Sequence, residues 1–386
     1  MDNYFAVTAP GLEPFTAQEL TALGFLPNTE PELSPQGGVA FKGDLAALYQ
    51  ANLQLRTASR ILARLGTFFY ATSALELQKR ASRLPWERCL TPGQPLALRV
   101  TCHQSKLYNS EVVARLVAAG LEERLGKPSP IVKFDEETDG HPPQLVLVRL
   151  VEDKCTVSVD SSGALLHKRG YRLAVAKAPL RETLAAALLM ASGWDPSATL
   201  LDPFCGSGTI PIEAALMQLG LPPGLNRRFA FMDWPGYQQS AFSDQLSAVS
   251  DRLSAISNKQ SEIKILASDR DAGAIKSALA NAERAGVEDV IEFKCQAVSA
   301  IMPPAGLGWV VTNPPYGVRV SEGKDLRNLY AQFGNVLRRQ CSGWNVAVLC
   351  NDPVLLGQMH MQLDTSLGFI NGGIGVRVAR GVIPAI

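Results

Sequence analysis

The sequence predicts an α/β protein in which a mixed α+β N-terminal half precedes a C-terminal domain built on a buried parallel sheet. Three observations predict it. With 386 residues, 46% of them hydrophobic, the chain exceeds a single core and can fill two or three domains. From about residue 165 onward, short, mostly apolar runs alternate with stretches of helical periodicity, as strands covered on both faces require. Before that point, strand-like and helix-like segments mix without that regularity.

Taken in order, Tyr4-Phe5-Ala6-Val7 reads as a strand, Pro14 to Leu23 as an amphipathic stretch and Gly37-Gly38-Val39-Ala40-Phe41 as a hairpin-like segment. They make a small α+β unit over residues 1–60. A second unit, 61–162, carries predicted strands from Leu96 to Val100, Leu145 to Leu150 and Thr156 to Val159, and a helix from Ser110 to Leu125 with Ser110 as its N-cap. The cluster Asp160-Ser161-Ser162-Gly163 marks the turn that closes it. The third domain, 163–386, has strands at Thr199-Leu200-Leu201, Ile263-Lys264-Ile265-Leu266-Ala267, Trp309-Val310-Val311 and Asn345-Val346-Ala347-Val348-Leu349. Between the first two of these, Pro222 to Gln239, with its Pro-Pro-Gly and Trp-Pro-Gly turns, reads as an inserted surface loop.

Composition narrows the function. Met1-Asp2-Asn3-Tyr4-Phe5-Ala6 lacks a basic and apolar leader, and no apolar run is long enough to span a bilayer, so a cytoplasmic protein without membrane partners is expected. Seven cysteines form no Cys-x-x-Cys pair, and the four histidines (103, 141, 167 and 360) have no ligand spacing. Reduced thiols and no metal are expected. A net charge of +1 gives no global signature of a polyanion partner, yet residues 51 to 115 hold ten Lys or Arg against three acids. Arg80, Arg83 and Arg88 lie in that stretch, and His167-Lys168-Arg169-Gly170-Tyr171-Arg172 forms a second basic segment. Arg227-Arg228 and Arg338-Arg339 read as exposed charged pairs.

Three strand ends carry the chemistry. Leu201-Asp202-Pro203-Phe204-Cys205-Gly206-Ser207-Gly208-Thr209 passes from a strand through a glycine turn into a helix. Gly206 and Gly208 let the backbone turn and approach a ligand, and the helix N-terminus offers unpaired N–H groups to a nucleotide-like cofactor. At Ala267-Ser268-Asp269-Arg270-Asp271, Asp269 is placed to accept both hydroxyl hydrogens of a ribose. It follows Asp202 by 67 positions rather than the usual twenty or so, so the interval must hold extra structure. In Val311-Thr312-Asn313-Pro314-Pro315-Tyr316-Gly317, the prolines fix the chain and leave the Asn313 side-chain oxygen and the Pro314 carbonyl as oriented acceptors. Such acceptors suit an exocyclic base amine, whose lone pair is conjugated until its hydrogens are held. Tyr316 is placed to stack on that base. Cys205 has no partner for covalent chemistry in the Asn313 loop and is expected to pack.

These elements resemble the class I methyltransferases. Phe5-Ala6-Val7-Thr8-Ala9-Pro10-Gly11-Leu12-Glu13, Gly38-Val39-Ala40-Phe41-Lys42-Gly43-Asp44, His167 to Arg172, Ala178-Pro179-Leu180-Arg181-Glu182-Thr183-Leu184-Ala185 and Gly343-Trp344-Asn345 are similar to the bacterial ribosomal RNA guanine-N2 methyltransferases that carry a THUMP domain. The resemblance implies a ferredoxin-like unit, a THUMP domain gripping structured RNA, most simply 23S ribosomal RNA, and a Rossmann-like domain using S-adenosyl-L-methionine. It places Leu180 and Thr183 near the methionine end of that cofactor, with Asp202, Phe204, Gly206, Ser207 and Gly208 around it, and Asp269 and Arg270 at ribose and adenine. Asn313 lies where cofactor and amine meet, while Arg80, Arg83, Arg88, Lys168, Arg169 and Arg172 become candidate RNA contacts. Two departures stand out. Ala297 takes the position where many relatives have an adenine-contacting Asp, and the chain ends at Ile386, where some relatives continue into a second methyltransferase domain, so that second activity is expected to be absent. Adenine N6 methylation of RNA or DNA, transfer RNA guanine-N2 methylation and a noncatalytic RNA-binding assembly role remain open, and oligomeric state is not legible.

Overall fold

The computed structural model describes residues 2–28, 37–134, 143–172, 180–257, 264–316, 325–371 and 373–385. Met1, His141, Ala178, Pro179, Ile263, Gly317 and Ile386, which figure in the sequence reading, lie outside them. The chain forms two compact units, one of Met1–Thr8, Thr16–Leu166 and Arg227–Leu246, the other of Ala9–Phe15, His167–Asn226 and Ser247–Ile386.

The first unit is built on one eight-stranded sheet. Its strands are β1 (Asp2–Val7), β2 (Pro27–Asn28), β3 (Gly38–Gly43), β4 (Arg60–Arg64), β5 (Phe69–Tyr70), β6 (Leu96–His103), β7 (Gln144–Val151) and β8 (Lys154–Asp160). They run in the order β2-β3-β1-β4-β8-β7-β6, with β5 beside β8. The boundary expected after residue 60 falls inside β4, which pairs with β1 on one side, Phe5 opposite Leu62, and with β8 on the other, Leu62 opposite Asp160. Beside that seam Arg60 and Asp160 form a buried ion pair. Asp160 also accepts the amides of Ser162 at 2.9 Å and Gly163 at 3.0 Å, which makes the predicted turn. The helix Ser110–Leu125 has the predicted span but not the predicted cap. Asn109, in extended backbone, accepts from the amides of Glu111 and Val112 at 3.0 and 3.1 Å, and Ser110 is already inside the first turn.

Pro222 to Gln239 is not a surface loop. Phe229, Phe231, Trp234 and the following Phe242 are all less than 7% exposed and belong to the core of the first unit. Phe231 stacks on Tyr49 with centroids 4.5 Å apart, and Trp234 donates to Gln144 Oε1 at 2.8 Å. Arg227 is likewise no exposed charge: it donates to the carbonyls of Leu165 at 2.8 Å, Ser162 at 3.3 Å and Ala164, and lies over the Phe229 ring. Arg228 is exposed and paired with Asp233, and Arg338 turns back onto the carbonyls of Met359 and His360. Turn residues made this segment look like a loop, but five aromatic side chains between 229 and 242 gain more by burial than a surface position allows.

The second unit is the Rossmann-like α/β domain that the resemblance implies, and its sheet is doubly wound. Its strands are β9 (Thr199–Asp202), β10 (Ile265–Asp269), β11 (Ile291–Cys295), β12 (Gly308–Thr312), β13 (Asn345–Cys350), β14 (Gly368–Asn371) and β15 (Ile374–Val382). The sheet order is β11-β10-β9-β12-β13-β15-β14, parallel through β13 and antiparallel at β15 and β14. Successive residues go to opposite faces. Leu200, Ala267, Val311 and Ala347 enter one core, Leu201, Val310, Val346 and Val348 the other, which is why these runs read as apolar rather than alternating. Helices Glu182–Ser192 and Thr209–Gln218 are buried almost all round and pack on the first of these faces. Among the described residues no helix is long and apolar enough to cross a membrane.

Candidate active site

Parallel strands deliver their C-terminal ends to one edge, and β9 lies where the chain order reverses, with β10 on one side and β12 on the other. Ligands of open α/β sheets bind outside the carboxyl ends at such a point. Asp202, Asp269 and Thr312-Asn313 stand there because each terminates or follows one of those three strands.

After β9 the chain turns through Gly206 at φ +54° and Gly208 at φ +85°. The two glycines differ in purpose. A Cβ on Gly206 would meet nothing within 4 Å, so its main chain faces open space; one on Gly208 would press on Ala278 Cβ at 3.1 Å, where two helices meet. Gly206 donates its amide to Asp269 Oδ2 at 3.0 Å, and Asp269 Oδ1 accepts from Asp271 N at 3.0 Å. Asp269 therefore braces the glycine loop, while each of its oxygens keeps a further lone pair for a hydroxyl. Asn281 donates to the Ser207 carbonyl at 3.0 Å and completes the brace.

Asp202 is fully buried. Its Oδ1 accepts from Phe204 N at 3.2 Å and Thr312 Oγ1 at 2.6 Å, while Oδ2 has no partner among the described residues. Burial pushes its carboxyl up to about 7, the donors Thr312 and Phe204 oppose the rise, and the charge of Asp269 adds to it. Phe204 is half-buried, edge-on to Phe333 with centroids 5.1 Å apart. Cys205 is buried and desolvation holds its thiol well above the usual range, as a packing residue requires.

Across the strand junction, Asn313 Oδ1 is buried and has no hydrogen-bond partner among the described residues. The loop it opens is held further along, where Tyr330 donates to the Pro315 carbonyl at 3.3 Å. Tyr316 is half-buried, its hydroxyl accepts from Asn371 Nδ2 at 3.3 Å, and burial raises its ionisation above the ordinary phenol value. Two orphaned oxygens, Asp202 Oδ2 and Asn313 Oδ1, thus stand at the ends of adjacent strands. The first can take an ammonium and the second an N–H, so the donor set fits a cofactor with an amino-acid end together with an amine substrate. Arg270 and Ala297 are exposed at the β10 and β11 ends, and Ala297 opens the short turn Val298–Ala300. Leu180 and Thr183 are buried at the start of helix Glu182–Ser192.

The basic segment before that helix does not face outward. Arg169 is 3% exposed and pairs with Glu213, which also accepts from Tyr171 at 3.1 Å. Arg172 donates to the Leu180 carbonyl and to Thr209 Oγ1, both at 2.7 Å, and lies 3.1 Å from Glu182. Burial pushes Glu182 up to about 7 against the pull of Arg172. Neither arginine is available to RNA, because each is the counter-ion of a carboxylate inside the fold. Lys168 is half-buried. In the first unit, Arg80 and Arg83 are exposed at the end of helix Ala74–Ala81, whereas Arg88 is held by a two-point pair with Asp2. Sequence reasoning missed Thr312, Tyr330, Asn281 and Asn371. Thr312 had the clearest signal, a hydroxyl residue beside Asn313 at the end of an apolar strand.

Three family models match the chain: the RlmL ferredoxin-like domain over residues 3–62, the THUMP domain over 71–160 and the RMKL-like methyltransferase domain over 169–379. Among curated proteins the chain is 33% identical to slr0064 of Synechocystis, designated a candidate RNA methyltransferase, covering 96% of this chain and 94% of the relative. It is 35% identical to the ribosomal RNA large subunit methyltransferase K/L of Psychromonas ingrahamii over 97% of this chain, and spans about half (49%) of that longer relative. Among solved structures, SMU.472, described as a candidate methyltransferase complexed with SAH, superposes with a TM-score of 0.85 at 28% identity, covering 100% of this chain and 99% of that one. A Listeria monocytogenes protein described as a predicted N6-adenine-specific DNA methylase superposes with a TM-score of 0.84 at 32% identity, covering 99% and 96%.

Proposed function

The chain belongs to the RMKL-like methyltransferase family, and on that premise we propose that it methylates the exocyclic N2 amine of a guanine in large-subunit ribosomal RNA, using S-adenosylmethionine. The observation that carries this reading is the buried, unpartnered Asn313 Oδ1 one residue beyond β12, beside the strand that ends in Asp202. An acceptor left without a donor in a buried position is costly unless a ligand satisfies it. When bound, S-adenosylmethionine supplies a sulfonium methyl group as the electrophile.

The residues divide the work by chemistry. Asp202 Oδ2 accepts from the cofactor's ammonium, and Asp269 accepts from its ribose hydroxyls with the lone pairs that Gly206 and Asp271 leave. Leu180, Thr183, Phe204, Ser207, Gly208 and Arg270 line the cofactor, and Ala297, with no acceptor of its own, leaves adenine recognition there to the main chain. A guanine extruded from its stack meets Tyr316, whose ring Asn371 holds by the hydroxyl. Asn313 Oδ1 and the Pro314 carbonyl would accept hydrogen bonds from the two N–H groups of its amine, and Pro315 stiffens the turn, so that the nitrogen lone pair is aligned for in-line attack and one N–H proton then passes to solvent. Arg80 and Arg83 contact RNA phosphates. The Listeria comparison favours adenine N6 as the second reading, since the same pair of acceptors serves that amine.

Asn313→Ala tests the role directly. The expected result is a fall in turnover of about a hundredfold or more with S-adenosylhomocysteine affinity nearly unchanged. Full turnover in this variant would remove Asn313 from the reaction.

A further inference from the structure

The main-chain ladder between β9 and β12 ends before the residues that matter. Its register runs Gly308↔Thr199, Trp309↔Leu200 and Val310↔Leu201 and goes no further, although β12 continues to pair with β13 as far as Thr312↔Val348. Past Val310 and Leu201 the two strands are no longer paired to each other, β12 running on to Thr312 and then to Asn313, and β9 ending at Asp202 before the turn to Gly206. The link that spans this gap is a side-chain hydrogen bond, Thr312 Oγ1 to Asp202 Oδ1 at 2.6 Å, between two residues that are both 0% exposed. Asp202 Oδ1 has the Phe204 amide, at 3.2 Å, as its other partner.

From this we propose that Thr312 is the positioning residue that fixes the separation of the Asn313 acceptor from the cofactor loop, through its hydrogen bond to Asp202. The inference rests on the methyl-transfer reading for its effect on rate, but the bond itself acts on Asp202 whatever the substrate. Thr312 touches neither methyl group nor amine. Its hydroxyl binds one carboxylate oxygen of Asp202 and leaves the other for the cofactor's ammonium, so the methyl donor is registered to the same point from which Asn313 extends. Methyl transfer needs donor and acceptor within a fraction of an ångström of their working geometry, and small displacements are expensive in rate. The same bond favours the ionised form of Asp202, against its burial and the charge of Asp269.

Two substitutions separate positioning from packing. Thr312→Val keeps the shape and removes the donor, and Thr312→Ser keeps the donor and removes a methyl group. S-adenosylhomocysteine affinity measured by calorimetry from pH 5.5 to 8.5 is expected to strengthen with rising pH as Asp202 ionises. In T312V the midpoint moves to higher pH, by about half a unit or more, and turnover at saturating cofactor falls about tenfold or more. T312S keeps the wild-type midpoint and stays within about threefold in turnover. An unchanged midpoint in T312V overturns the inference, and so does a T312S variant as impaired as T312V, since both would make the residue a packing element only. If the wild-type protein transfers no methyl group to RNA, the proposed function fails, and the affinity profile alone still decides the role of Thr312.

Discussion

Asp202 is wholly buried, yet one of its oxygens meets no donor, so its charge state depends on what binds beside it. Burial raises its folded value to about 7, well above an unfolded Asp near 4. The stability that this difference contributes is complete below about pH 4 and is lost as pH rises through about 7. Asp202→Asn mimics the protonated form and has no such dependence. Its thermal midpoint is therefore expected to gain on that of the wild-type protein between pH 5 and pH 8, while its affinity for S-adenosylhomocysteine drops. A constant difference between the two midpoints at both pH values would show that Asp202 is not held in the uncharged form by burial. The residue that matters to the cofactor is thus one the fold alone would replace.

Elements explain which parts of the site can be read from the chain. Asp202, Asp269 and Asn313 were legible because an apolar run of four or five residues announces a buried strand, and a turn residue directly after it announces the strand end. Everything that depends on two distant segments was not. Thr312 and Asp202 are 110 residues apart, Tyr316 and Asn371 55 apart, and nothing local in either stretch marks the other. The basic run Lys168-Arg169 and Arg172 misled for the same reason, since Glu213 and Glu182 lie on helices that follow it and turn the charges inward. Pro222 to Gln239 was misjudged on turn signals that the aromatic content of residues 229 to 242 outweighs. Phe231, 0% exposed between Tyr49 and Phe229, anchors them. Phe231→Ala is expected to destabilise the first unit by about 3–5 kcal/mol, read as an earlier unfolding transition in denaturant. An unmoved transition would mean that the segment is not a structural part of that unit.

For the molecule as a whole, length and the change of pattern near residue 165 separated an α+β half from a parallel α/β half. The order of strands within the second sheet was not readable, because which edge a crossover takes depends on tertiary packing rather than on any one run. The net charge of +1 gave no hint of a polyanion partner, and of six cationic candidates the structure turns Arg169 and Arg172 into internal counter-ions and ties Arg88 to Asp2. Arg80 and Arg83 keep the exposure that a phosphate contact needs.

The most direct test of the central claim is the identity of the methylated nucleoside. Unmodified ribosomal RNA, with transfer RNA and DNA in parallel, is incubated with the protein and S-adenosylmethionine labelled in the methyl group, then digested and chromatographed. The account predicts label in N2-methylguanosine from ribosomal RNA. Label in N6-methyladenosine, label only in transfer RNA or DNA, or no label from a protein that binds both cofactor and RNA would each contradict it.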